Sequence, residues 1–198
     1  MPPGGGVWGA RRASAAARTR QRILDATLEL HGEQGIGATT WDDIAARAGV
    51  GVGTVYRHFP SLDALIPACG EITRQVLELP EDPPALFAGL DAAPERIERL
   101  VREAFAIYER GAPQLRAIRN EPDVHPNVAE AGTEVEGALA ALIDAAVASS
   151  AITPADRAVV RAMIDLNTWD ALREQGLGQD DAVATIAELL SLRLGSRR

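Results

Sequence analysis

Apolar residues recur along this chain at helical spacing, and no stretch alternates with a period of two, so the pattern predicts an all-α fold. Ile23, Leu24, Thr27, Leu28 and His31 form one stripe of a first helix that starts near Thr19 and stops at Gly32 and Gly35. Trp41, Ile44, Ala45 and Ala48 repeat at i, i+3, i+4, i+7 in a second. Thr40 and Asp43 open it as a capping box, in which hydroxyl and carboxylate satisfy free backbone N–H groups, and Gly49 closes it with a left-handed stop. Only Val50-Gly51 then separates it from a third helix over 52–59, whose inward face is Val55 and Phe59 and which ends before Pro60. Two helices joined by so tight a glycine-containing turn must cross steeply, which makes a helix-turn-helix.

The rest of the chain reads as five or six further helices. Ser61 can cap a connecting helix over 61–79 that Pro67 and Gly70 are expected to kink or interrupt, and the prolines of 80–84 form a break. Ile97, Leu100, Val101, Ala104, Phe105 and Tyr108 make a clean stripe ending at Gly111-Ala112-Pro113, followed by a short segment over 114–120. A long helix over 127–149 turns Val135, Leu139, Leu142, Ile143, Ala146 and Val147 inward. Thr153-Pro154-Ala155-Asp156 starts the next, expected to run to about residue 175, and a last helix covers 180–194. Val159, Met163, Ile164 and Leu166 on one, and Val183, Ile186, Leu189, Leu190 and Leu194 on the other, leave wide apolar faces. Those faces are read as a dimer interface, with burial inside one monomer as the alternative.

Charge placement sharpens this picture. The chain has 198 residues and a formal net charge of -8, and every one of its 20 basic side chains is arginine. The first 59 residues carry seven arginines against five acids, and the first 24 carry five arginines and no acid. The start of the chain is therefore the one place that attracts a polyanion at long range. Residues 1–18 are expected as a flexible basic arm touching DNA phosphates or the minor groove, although an acid-free Arg/Ala/Ser stretch also has the composition of a transit peptide. The arm is preferred because a DNA-binding pattern follows it. No apolar run approaches the roughly 20 residues that cross a bilayer, so no membrane partner is expected. The single cysteine, Cys69, can form no intrachain disulfide, which fits a cytoplasmic setting.

The third helix supplies the chemistry. Opposite its inward residues it presents Val52, Gly53, Tyr56 and Arg57, a stripe that fits the major groove. Arg57 has the donor geometry for guanine or phosphate, Tyr56 and Thr54 can donate to phosphate oxygens, Val52 can meet a thymine methyl, and Gly53 lets backbone approach DNA closely.

The run Thr39-Thr40-Trp41-Asp42-Asp43-Ile44-Ala45-Ala46-Arg47-Ala48-Gly49-Val50-Gly51-Val52-Gly53-Thr54-Val55-Tyr56-Arg57-His58-Phe59-Pro60-Ser61-Leu62-Asp63-Ala64-Leu65 closely resembles the DNA-binding core of the tetracycline-repressor (TetR) family, as do Arg22-Ile23-Leu24-Asp25-Ala26 and Gly35-Ile36-Gly37-Ala38-Thr39-Thr40 upstream. The resemblance covers residues 19–68. It implies a dimeric regulator, most often a repressor on a palindromic operator, whose last two long helices pair with the partner's as a four-helix bundle and whose C-terminal domain takes a small-molecule effector. The DNA contacts expected are Arg20, Thr40, Arg47, Val52, Gly53, Thr54, Tyr56, Arg57 and His58. Three positions depart from the family pattern: Leu62 stands where a lysine usually meets phosphate, Gly51 where a serine commonly caps the recognition helix, and His31 where Phe usually packs.

On this reading residues 1–18 are the arm, 19–65 the DNA-binding domain and 66–198 a ligand-binding and dimerisation domain. Phe105, Tyr108 and Trp169, with the polar Arg116, Arg119, His125 and Asn167, are the candidates for an effector pocket, and the arginines point to a mostly apolar effector with an anionic group. An enzyme is not expected: the three histidines lie far apart, no phosphate-binding glycine loop or nucleophile elbow occurs, and no cofactor is called for. The competing reading is a sensorless DNA-binding or architectural regulator whose C-terminal half only dimerises.

Overall fold

The computed structural model describes residues 5–148, 150 and 152–195, with side chains from Ala13 onward. Among them are nine α-helices and no strand: α1 (Gly5–Gln34), α2 (Trp41–Ala48), α3 (Val52–His58), α4 (Leu62–Leu77), α5 (Ala93–Asn120), α6 (Pro126–Val147), α7 (Pro154–Met163), α8 (Leu166–Glu174) and α9 (Gln179–Gly195), with 3-10 turns at Pro83–Phe87 and Pro122–Val124.

The chain divides into two compact units. The first comprises the residues up to Thr73 together with Pro113–Ala131. Its core joins Ile23, Leu24 and Leu30 of α1 to Ile44 and Ala48 of α2, Val55 of α3, Phe59, and Leu65 and Cys69 of α4. The second comprises Arg74–Ala112 and the chain from Gly132 on. Leu100, Phe105 and Tyr108 of α5, Leu139, Leu142 and Ile143 of α6, Val160 and Ile164 around α7, and Ile186 and Leu190 of α9 are all buried there.

Four elements differ from the sequence reading. The first helix begins at Gly5, so residues 5–18, expected as a flexible arm, are helical, while residues 1–4 of that arm lie outside the described residues. Alanine and arginine, which dominate 10–18, are among the best helix formers, so local propensity favours continuing the helix there. Pro67 lies inside an uninterrupted α4. The backbone bond that Pro67 cannot make falls near the start of the helix, and Leu65, Ile66 and Cys69 pack on either side of it. The stretch expected as one helix to residue 175 is two: Asp165 accepts a hydrogen bond from Asn167 N–H with its side chain and starts α8 afresh, and Ile164 between them is buried. Finally, the short segment after Gly111 continues α5 across a kink, Gly111 itself being non-helical (φ -144°, ψ 26°).

Candidate nucleic-acid interface and ligand cavities

The geometry of α2 and α3 follows from their ends. Thr40 accepts a hydrogen bond from Asp43 N–H (3.2 Å), and the Asp43 carboxylate accepts from Thr40 N–H (3.1 Å) and hydroxyl (2.6 Å). Those two donors hold the Asp43 carboxyl below its ordinary pKa. At the other end Gly49 takes φ 64°, a left-handed value that favours glycine, and Arg22 reaches across from α1 to donate to the carbonyls of Ala48 and Gly49. The helix is thus tied down before the turn. Gly51 then starts α3 with no side-chain cap, the looser start its missing hydroxyl implies.

With Val55 and Phe59 buried, α3 exposes the stripe the sequence indicates: Val52 is 38% and Tyr56 46% exposed, and Gly53 and Arg57 are exposed beside them. A Cβ added at Gly53 would meet nothing within 4 Å. The fold itself does not demand glycine there. Thr54 and His58 are half-buried at the edges of the stripe. Tyr56 lies against Trp41 of α2, ring centroids 5.0 Å apart at 34°.

The other expected DNA contacts have tasks inside the unit. Arg47 bonds to Glu29 (3.1 Å) and to both oxygens of Glu33 (2.9 and 2.6 Å), fastening α2 to α1. That pairing lowers the Glu33 pKa and raises that of Arg47. Arg20 stacks its guanidinium on the Phe59 ring, 4.9 Å from the centroid, and Thr40 is committed to its cap. The directed, outward-facing set is therefore Val52, Gly53, Tyr56 and Arg57.

A clamp with no local sequence signal closes the other side of this unit. The Glu121 carboxylate accepts from Ile36 N–H (2.9 Å) and Gly37 N–H (2.6 Å), 85 and 84 residues away, and so pins the loop between α1 and α2. Gly35 has φ 94°, and a Cβ there would stand 2.2 Å from the carboxylate, so its side chain must be absent on both counts. His125 reinforces the same segment: its Nδ1 accepts from Asn127 N–H, so its Nε2 carries the proton and donates to Asp63 of α4 (3.1 Å). His31 is buried, and burial lowers its pKa to about 4 against a smaller opposing pull from Glu121. Cys69 is likewise buried, which pushes its thiol up to about 12 and leaves it without thiolate character at neutral pH.

The expected effector-pocket residues are divided between the two units. Phe105, Tyr108 and Trp169 pack on one another in the second unit with centroids 6.1–6.2 Å apart, the Tyr108 hydroxyl donates to Ile164 C=O and the Trp169 indole to Gln179. They fill a core. Asn167 is exposed on α8, whereas Arg116, Arg119 and His125 belong to the first unit. Two hollows are lined by other residues. A cavity of about 40 Å³ in the first unit is lined by His31, Cys69, Thr73, Gln114 and Asn127 among apolar neighbours. A cleft of about 730 Å³ in the second unit has Ile97, Val147, Ile152 and Leu194 as its apolar lining, with Asp91 and Asp156. No group of three or more His, Cys, Asp or Glu side chains among the described residues is placed to hold a metal ion, and no helix among them is long and apolar enough to cross a membrane.

Residues 23–69, the stretch that builds this helix-turn-helix, match the profile of bacterial regulatory proteins of the tetR family. The sequence likeness to the tetR family is confined to this domain. It is 51% identical over 49 residues to the HTH-type transcriptional regulator SrpR of Pseudomonas putida, and 49% over 49 residues to the HTH-type transcriptional repressor KstR of Rhodococcus jostii. Each match spans 25% of this chain and 23% of the relative's length. The fold extends further than the sequence likeness: the crystal structure of the regulator FadR from Bacillus subtilis in complex with stearoyl-CoA is similar over 90% of this chain and 99% of that one, with a TM-score of 0.59 at 18% identity.

Proposed function

We propose that this chain is a ligand-responsive transcriptional repressor that binds a palindromic operator as a homodimer through the α3 stripe. The observation that carries it is the outward set Val52, Gly53, Tyr56 and Arg57 on a helix held by the capped α2 before it and by its own buried Val55, matching the family over the same residues. Arg57 reads a base edge or a phosphate, Tyr56 donates to phosphate, and Val52 meets a thymine methyl. Thr54 and His58 contact the backbone at the edges. The arginines at the start of α1 add sequence-independent attraction. One recognition helix reads only a few base pairs, so a dyad-related pair is needed for a useful site.

The 730 Å³ cleft supports effector control over the sensorless alternative, since its volume lies in the range of small-molecule pockets, about 300–1,000 Å³. Among the described residues its lining is mostly apolar with two carboxylates, of which Asp156 is already paired with Arg193, so the cleft suits a mostly apolar effector. A ligand favouring a dimer whose recognition helices no longer match the operator spacing releases DNA by its differential affinity. The test is selection of duplexes from a random-sequence pool. Enrichment of a palindrome with two half-sites about one helical turn apart is the expected outcome, and enrichment of no sequence at all contradicts the reading.

A further inference from the structure

We propose that Trp41 is a positioning residue for DNA recognition: its indole sets the side chain of Tyr56 before DNA arrives. The proposal rests on the reading of α3 as the groove-facing helix. With glycines at 51 and 53 and Thr54 and His58 at its edges, the stripe depends for its side-chain reach on Tyr56 and Arg57. An exposed tyrosine on a seven-residue helix samples several rotamers, and binding must then restrict it at an entropic cost. Here the ring is already covered on one side by Trp41, centroids 5.0 Å apart and planes 34° from parallel, while the residue keeps 46% of its surface exposed. The phenol group stays available and the ring does not wander.

Trp41 can do this because it is itself fixed. It is the first residue of α2, directly after the Thr40–Asp43 capping box, and its inner side packs against the core formed by α1, α2, α3 and α4. A line of constraint runs from the cap through the indole to Tyr56, and preorganisation of this kind is gained as affinity because the ordering cost is already met in the free protein. Packing alone would require only apolar volume at 41. A ring stack requires an aromatic.

The experiment titrates a duplex selected from a random pool by the wild-type protein, using fluorescence polarisation, with Trp41→Leu, Trp41→Phe, Tyr56→Ala, Arg57→Ala and the double variants. Trp41→Leu keeps an apolar side chain against the core, and its melting temperature is recorded alongside so that a loss of packing is separated from a loss of binding. It is expected to weaken the selected duplex between about twofold and tenfold, the value of an aromatic pair beyond its buried area. Trp41→Phe restores most of that loss. In the Tyr56→Ala background Trp41→Leu should have no further effect, whereas with Arg57→Ala its effect should add in full. Wild-type affinity for Trp41→Leu, or a loss that persists undiminished without Tyr56, overturns the proposal. If Tyr56→Ala weakens binding and Trp41→Leu does not, only the positioning role falls; if neither Tyr56→Ala nor Arg57→Ala weakens it, the groove-facing assignment of α3 falls with it.

Discussion

At the scale of single residues, the first unit sorts its cations by what already holds them. Arg22 closes the end of α2, Arg47 bridges to Glu29 and Glu33, and Arg20 lies on Phe59, which leaves Arg57 as the arginine on the exposed stripe. A sequence shows which arginines are near the motif but not which are spoken for, because their partners Glu29, Glu33 and Ala48 sit 14 to 26 residues away. His31 makes a separate prediction. Its pKa is about 4 in the folded chain and 6.5 unfolded, so the unfolded state takes up a proton first as pH falls. The contribution of the neutral ring is complete above pH 6.5 and is lost on the way down to pH 4, amounting to about 2 kcal/mol at pH 5. Urea unfolding at pH 7.5 and pH 5 should register this difference for the wild type and a smaller one for His31→Phe. Equal pH dependence in the two proteins would show that His31 is not the titrating group.

Among the elements, those legible in the sequence are the ones whose determinants are local. The capping box at Thr40, the glycine stop at 49 and the Thr153–Asp156 box that starts α7 all lie within a few residues of the ends they define. The division between α7 and α8 is less visible, because Ile164 continues the apolar pattern across the junction where Asp165 caps the start of α8. For an effector site the sequence does not discriminate: aromatic positions on α5 and α8 look the same whether they line a cavity or fill a core, and the bonds of Tyr108 to Ile164 C=O and of Trp169 to Gln179 have no signal in the local pattern. The Glu121 clamp lay beyond reach for another reason, since nothing near residue 121 announces two backbone donors more than 80 residues upstream. Glu121→Ala should cost about 2 kcal/mol, the value of a hydrogen bond to a charged group. Hydrogen exchange should show lost protection at the Ile36 and Gly37 amides, while unchanged protection there would mean the loop holds itself.

For the whole molecule, the apolar faces of the last helices divide differently from the reading of the sequence. Ile186 and Leu190, expected at the subunit interface, are 3% and 1% exposed within one chain, whereas Leu189 and Leu192 are 52% and 63% exposed on the other side of α9. Helical periodicity gives the width of an apolar face but not which part of it meets the chain's own core. The proposed dimer therefore uses Leu189 and Leu192. Leu189→Glu should leave the melting temperature nearly unchanged and shift light scattering toward the monomer, whereas Leu190→Glu should lower stability by several kcal/mol through an unpaired buried charge. A Leu189→Glu protein that scatters as the wild type would remove α9 from the interface.

The central claim is that Val52, Gly53, Tyr56 and Arg57 read DNA, and the measurement that tests it most directly is a polarisation titration of wild-type and Arg57→Ala protein against a pool-selected duplex and its scrambled counterpart. The wild type is expected to prefer the selected duplex by about 1,000-fold or more, and Arg57→Ala to lose about 1–3 kcal/mol on that duplex but far less on the scrambled one. Equal affinity of both proteins for both duplexes would contradict it.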